Sequence, residues 1–176
     1  MADMTSASRP EIDIRSGSSR DPRRGVIEAI HLAALAGGPM ESVARVRAIA
    51  GIGLEGDRYA TASGHYSADA KDDRQVTLIG AEEIDGLAHG NGIVLGPGDT
   101  RRNITTRGIQ LNDLVGRRFR IGSVECQATR LCEPCQYLAD LLAKPVLAPL
   151  VHRAGLRAII LSGGEIALGD EVIAID

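Results

Sequence analysis

The chain has 176 residues, 44% of them apolar and 24% charged, with a formal net charge of −3. That is the composition of one ordinary globular domain, and it excludes a global positive field that would draw the protein to nucleic acid or a membrane. An aromatic share of 2% leaves too few rings for a base-stacking platform.

Residues 1–24 are rich in Ser, Arg, Asp and Pro and too poor in apolar side chains to pack, so a disordered tail is expected before a domain spanning 25–176. The tail has no apolar core of a signal peptide, and no later apolar run is long enough for a membrane span. Three cysteines, two of them in a C-x-x-C spacing, do not make a secreted disulfide framework. A cytoplasmic location is the expectation.

In chain order, Val26 to Leu32 is the first expected strand. Val43 to Ala50 alternates Val46, Ala48 and Ala50 against Arg45 and Arg47, the period of a half-buried strand. Gln75 to Ile79 is a short apolar strand, and a helix through Glu82, Glu83, Ile84 and Leu87 follows until Gly90 and Gly92 stop it. Another strand is expected from Asp99 through Asn103 to Thr106. Arg118 to Ile121 and Val124 to Ala128 flank Gly122-Ser123 and read as a hairpin. A helix from Gln136 to Ala143 is interrupted at Pro145 and resumes towards Arg153. Leu156 to Leu161, a turn at Gly163-Gly164 and the strand Glu171 to Ile175 close the chain. Many short strands, few short helices and 21 glycines imply a mainly β fold with a closed barrel rather than a βαβ array.

Three stretches carry possible chemistry. In Arg130-Leu131-Cys132-Glu133-Pro134-Cys135, Pro134 stiffens the turn and Cys135 precedes a helix, a setting that favours a thiolate; Arg130 would lower the same thiol further. Alone, the cysteine spacing reads better as two small buried residues. Gly51-Ile52-Gly53-Leu54-Glu55-Gly56-Asp57-Arg58 is a flexible backbone followed by an ion pair, with His65 in the polar loop beyond. It is evenly balanced between a ligand loop and an ordinary connection, and it lacks the Lys-Ser/Thr ending of a phosphate-binding P-loop. Arg101-Arg102-Asn103-Ile104 offers two guanidinium forks and a carboxamide; on a regular strand Arg102 would share a face with Ile104, and Arg101 with Asn103. Alone it reads as a polar outer strand face. His31, His89 and His152 are isolated and read as surface or satisfied core.

Taken in order, these segments, together with Arg74 to Ile79, Leu114 to Phe119 and Gly164 to Asp170, resemble the MOSC domain, named for the C-terminal domain of molybdenum cofactor sulfurase. The resemblance implies a closed, Greek-key-like β-barrel that binds molybdenum cofactor. It implies that Cys135, with Cys132 as the alternative, ligates the metal. By position it also implies that Arg58, Arg101, Arg102 and Asn103 meet phosphate and pterin, that Asp57 orients a guanidinium or accepts a pterin N–H, and that His65 and Arg130 border the same pocket. The activity it implies is reduction of N-hydroxylated or N-oxygenated compounds with a redox partner. A non-enzymatic carrier of sulfur or cofactor, charged by a cysteine desulfurase, is the alternative. A small zinc or redox module built on Cys126, Cys132 and Cys135 ranks third. The chain holds no pyridoxal-phosphate desulfurase domain, so pyridoxal phosphate is not expected. The Arg-bearing loops and the thiol are expected to meet at one mouth of the barrel.

Overall fold

The computed structural model describes residues 21–68, 73–96 and 98–175. Along the chain run β1 (Arg24–Leu32), β2 (Glu41–Ser42), β3 (Arg45–Ile49), β4 (Gly53–Leu54), β5 (Val76–Gly80), α1 (Ala81–Asn91), β6 (Ile104–Arg107), a 3-10 turn (Leu111–Leu114), β7 (Arg118–Ile121) and β8 (Val124–Leu131). Then come α2 (Gln136–Leu142), α3 (Leu147–Leu150), β9 (Leu156–Ile160), β10 (Gly164–Ala167) and β11 (Glu171–Ala174).

Seven strands close into a barrel in the order β1-β11-β7-β8-β9-β5-β6, with β6 pairing back to β1 and β2 added at the far end of β1. Every pairing is antiparallel except β5 with β6, and these two are joined by the crossover that contains α1, as a parallel pair requires. A separate antiparallel sheet, β10-β3-β4, lies beside the barrel. Closure removes the open edges that would invite aggregation.

The alternation read in the sequence is the packing pattern. Val46 and Ala48 of β3 are buried while Arg45 and Arg47 are exposed. In the β7–β8 hairpin Phe119 faces Cys126 and Ile121 faces Val124, and all four are fully buried. Phe119 is the chain's single phenylalanine, and Val, Ile, Leu and Ala supply most of the remaining core. A second apolar cluster joins Leu87 of α1, Leu138 of α2, Leu150 of α3 and Val146. Glu82 and Glu83 complement the positive end of α1, and Gly92 terminates it at φ +67°.

Three expectations are corrected. Residues 1–20 of the expected tail lie outside the described residues, but Pro22 and Arg23 dock on the barrel: their carbonyls accept the Gln110 and Ala174 amides at 3.0 Å. The strand expected from Asp99 begins only at Ile104, because Arg101 adopts a left-handed φ of +61° and breaks the extended run. The segment after Gly163-Gly164 forms β10, which pairs with β3 instead of serving as a plain turn.

Gly155 opens β9 at φ +103°, where a Cβ would lie 1.9 Å from the Leu78 carbonyl oxygen. Gly155→Ala is therefore expected to lose about 3 kcal/mol or more of unfolding free energy, read as a lowered urea midpoint.

Candidate functional site

Strand alternation on β5 and β9 decides where the site sits. Val76, Leu78, Leu156 and Ala158 belong to the barrel core, so Thr77 and Arg157, which are register partners, project from the outer face of the wall. The two form part of the lining of a cleft that encloses about 690 Å3, counting its open side. The cleft is thus built on the outside of the barrel, not in its mouth as expected. The turn before β6, the long connection from β4 to β5, the loop after β1 and the β8–α2 turn surround it.

Beneath this cleft lies a hydrogen-bonded polar cluster. The Asn103 side-chain oxygen accepts from the Thr77 amide (3.2 Å) and hydroxyl (2.9 Å). Its nitrogen donates to the His31 carbonyl (3.3 Å) and to Asp57 Oδ2 (3.0 Å). Asp57 also accepts from the Ala33 amide, the Tyr59 amide and Arg58 Nη1, the last at 3.2 Å. Asp57 and Asn103 are each 1% exposed. Buried groups so fully paired are structural supports, and none of their capacity faces the cleft. His31 is buried beside them with no hydrogen-bond partner on Nδ1, and burial holds its pKa below the usual histidine value.

Five guanidinium groups line the cleft: Arg58, Arg74, Arg101, Arg102 and Arg157. Arg58 pairs with Asp57 and donates to the Arg101 carbonyl at 3.1 Å. Burial first, and then the neighbouring Arg58 charge, lower the Arg101 pKa. Arg102 spends three donors on backbone carbonyls, those of Ala154 (2.8 Å), Thr100 (3.2 Å) and Cys132 (3.2 Å). Arg157 lies 3.6 Å from Asp73, while its buried Nε and Nη1 make no hydrogen bond. Burial works to lower the Arg157 pKa, but the Cys132 sulfur beside it and Asp73 outweigh burial and raise it.

Both cysteines of the turn reach this cleft. Cys132 is 4% exposed and Cys135 is half-buried. Cys135 sits just before α2 with extended backbone, and its sulfur makes no capping bond to the helix. Interaction with this sulfur, followed by burial and the field of Cys135, pushes the Tyr66 phenol up to about 12. His65 meets the Tyr66 ring edge-on at 4.6 Å and stacks on Tyr137 at 4.2 Å, while Arg74 lies over Tyr66 at 5.3 Å and Arg58 over Tyr59 at 5.0 Å. Every tyrosine of the chain lines this one cleft.

The MOSC domain family profile matches residues 65–173, well over half of the chain. The chain belongs to the MOSC domain family. Its fold is similar to that of YuaD from Bacillus subtilis, with a TM-score of 0.70 at 18% identity over 85% of this chain and 94% of that one. It is also similar to YiiM from Geobacillus stearothermophilus (TM-score 0.60, 15% identity, 86% and 73% covered) and YiiM from Escherichia coli (0.60, 16%, 88% and 71%). At such identities the likeness is one of fold. No curated protein matches the chain.

Within this MOSC domain, Arg58, His65, Arg101, Arg102, Cys132 and Cys135, all singled out from the sequence, share one cleft. Asp57 and Asn103 lie beneath it rather than in it. Arg130 is not among its lining residues, and its Nε is bonded to Asp73; the guanidinium that stands beside a cysteine of the turn is that of Arg157, next to Cys132. The left-handed turn at Arg101 lets Arg101 and Arg102 both line the cleft, against the alternation expected of a strand. Sequence reading missed Tyr59, Tyr66, Arg74, Tyr137 and Arg157. The scarcity of rings is the one sequence signal that could have pointed to the tyrosines, and Arg157 gave none. Cys126 lies in the barrel core, where burial pushes its thiol up to about 12. Among the described residues no three His, Cys, Asp or Glu side chains converge as a metal site, which leaves the zinc module without a ligand set. No helix among the described residues is long and apolar enough to cross a membrane.

Removing the Asn103 side chain strands Asp57 and Thr77 in the interior. Asn103→Ala is expected to cost about 3 kcal/mol in urea unfolding. Because the folded state keeps His31 neutral, an unfolded chain takes up a proton that the fold excludes once pH falls below the usual histidine pKa. Stability should therefore drop between about pH 7.5 and about pH 5.5, and His31→Leu should show a smaller drop in urea midpoints over the same window.

Proposed function

We propose that the cleft binds molybdenum cofactor and that Cys135 supplies the protein ligand to the metal, in a protein that reduces N-oxygenated compounds. MOSC domains are associated with this cofactor, and the residues present suit its chemistry. A half-buried sulfur is a fitting donor for a soft metal centre. Guanidinium groups around it suit a phosphate-bearing pterin, and among the described residues the buried Nε of Arg157 has no hydrogen-bond acceptor. Ring faces of His65, Tyr59, Tyr66 and Tyr137 border the same space.

The observation that carries the reading is the placement of the Cys135 sulfur in a cleft with five arginines. Cys135 is favoured over Cys132 because it is the more exposed thiol, whereas Cys132 is 4% exposed with its sulfur beside Arg157. Arg58 and Arg101 would hold the anionic end of the ligand, with Asp57 keeping the Arg58 fork in place. Bound molybdenum cofactor supplies a metal that cycles between oxidation states and delivers two electrons. Around it the chain's own residues orient the sulfur, screen water and hold charge.

A carrier role for the same thiol remains the second reading, supported by the two cysteines in one cleft. It is separated from the first by turnover of a hydroxylamine substrate with a supplied electron donor.

Protein made in a cofactor-competent host should carry about one molybdenum per chain by elemental analysis. Cys135→Ser should lower that content by about tenfold or more, Cys132→Ser should not, and both should keep the wild-type circular dichroism. Full metal content in Cys135→Ser would overturn the ligand assignment.

A further inference from the structure

The guanidinium of Arg102 lines the cleft, yet its bonding directs it elsewhere. Its Nε donates to the carbonyl of Ala154, just before β9; Nη1 donates to Thr100, in the turn before β6; Nη2 donates to Cys132, at the end of β8. Three segments far apart in sequence are joined through one planar fork, and each acceptor is main chain. Main-chain carbonyls cannot be changed by substitution and do not rearrange freely, so this pattern fixes backbone position. The Cys132 peptide is pinned on both sides, because its amide donates to the Gly155 carbonyl at 2.7 Å while its carbonyl accepts from Arg102. Gly155 in turn is pressed against Leu78 with no room for a side chain. The other end of the cysteine turn is held by α2, whose Leu138 is buried in the helical cluster.

We infer that Arg102 is a positioning residue: it clamps the upstream end of the Cys132–Cys135 turn onto β9 and the turn before β6, and so fixes where both sulfurs stand in the cleft. This does not depend on what the cleft binds. It assigns Arg102 a role through the thiols instead of through contact with a ligand. A lysine carries the same charge but only a single nitrogen, so it cannot bridge three carbonyls of this geometry.

The test uses the full chain without cofactor. Iodoacetamide labelling is followed by peptide mass spectrometry at Cys126, Cys132 and Cys135. Cys126, at 0% exposure in the barrel core, is the internal control for general loosening. In Arg102→Lys, Cys132 should label about tenfold faster than in the wild type while Cys126 stays protected. In Arg102→Ala, added methylguanidinium should restore part of the Cys132 protection. Unchanged labelling of Cys132 in both variants overturns the inference, and so does a rise of Cys126 in step with Cys132, which marks a merely structural residue. Should neither variant fold, the wild type decides: in protein with 15N-labelled arginine, a slowly exchanging Arg102 Nε–H supports the clamp, and a rapidly exchanging one overturns it. Molybdenum content enters none of these readouts, so the cofactor reading and the clamp can fail separately.

Discussion

The Asn103 carboxamide is the junction on which the site stands. Its four bonds tie β5, the end of β1 and the Gly56-Asp57-Arg58 turn to the residue from which β6 starts. A carboxamide can do this because it offers an acceptor and two donors on one small plane; a carboxylate would repel Asp57 and a hydroxyl would leave bonds unmade. The cluster is buried, so each bond is strong and each omission costly. The parallel pairing of β5 and β6 begins beside this junction, and the Arg-bearing loops inherit their positions from it.

Above that neutral floor, charge accumulates in one sign. Asp57 offsets Arg58, and Asp73 is shared between Arg130 and Arg157. Arg130 and Arg157 in turn lower the Asp73 pKa against the effect of its burial. Among the described residues Arg101 has no carboxylate partner, and its donor goes to the Gly38 carbonyl at 2.5 Å. A chain of net charge −3 thus concentrates guanidinium groups on one outer patch of its barrel, a local field unrelated to the global balance. Among the described residues, no lysine lines the cleft. Rigid forks with several fixed donors serve better where main-chain carbonyls of separate segments must be held together.

Much of the fold was legible because period-two alternation and glycine turns are local signals. β3, the β7–β8 hairpin and α1 follow from them directly. Two failures have the same origin. The Arg101 turn and β10 each depend on a partner distant in sequence: the Arg58 side chain in one case, beside a local bond to Gly98, and β3 in the other. Of the site, the residues gathered in short motifs could be found, and six of them do share the cleft. Roles within the motifs could not be read, since Asn103 turned inward and Arg130 found Asp73. Arg157 was invisible for another reason: a single arginine on a strand announces nothing until the strand beside it places Thr77 opposite. The family profile itself covers residues 65–173 and so leaves out Gly51 to Arg58, the stretch that contributes Arg58 to the cleft.

The gathering of tyrosines has one more consequence. With no tryptophan in the chain and all three tyrosines at the cleft, the emission excited at tyrosine wavelengths originates from the lining shared with Cys135 and the arginines. No tyrosine stands elsewhere in the barrel to contribute a background at those wavelengths. The molecule therefore carries a built-in optical reporter confined to its own cleft.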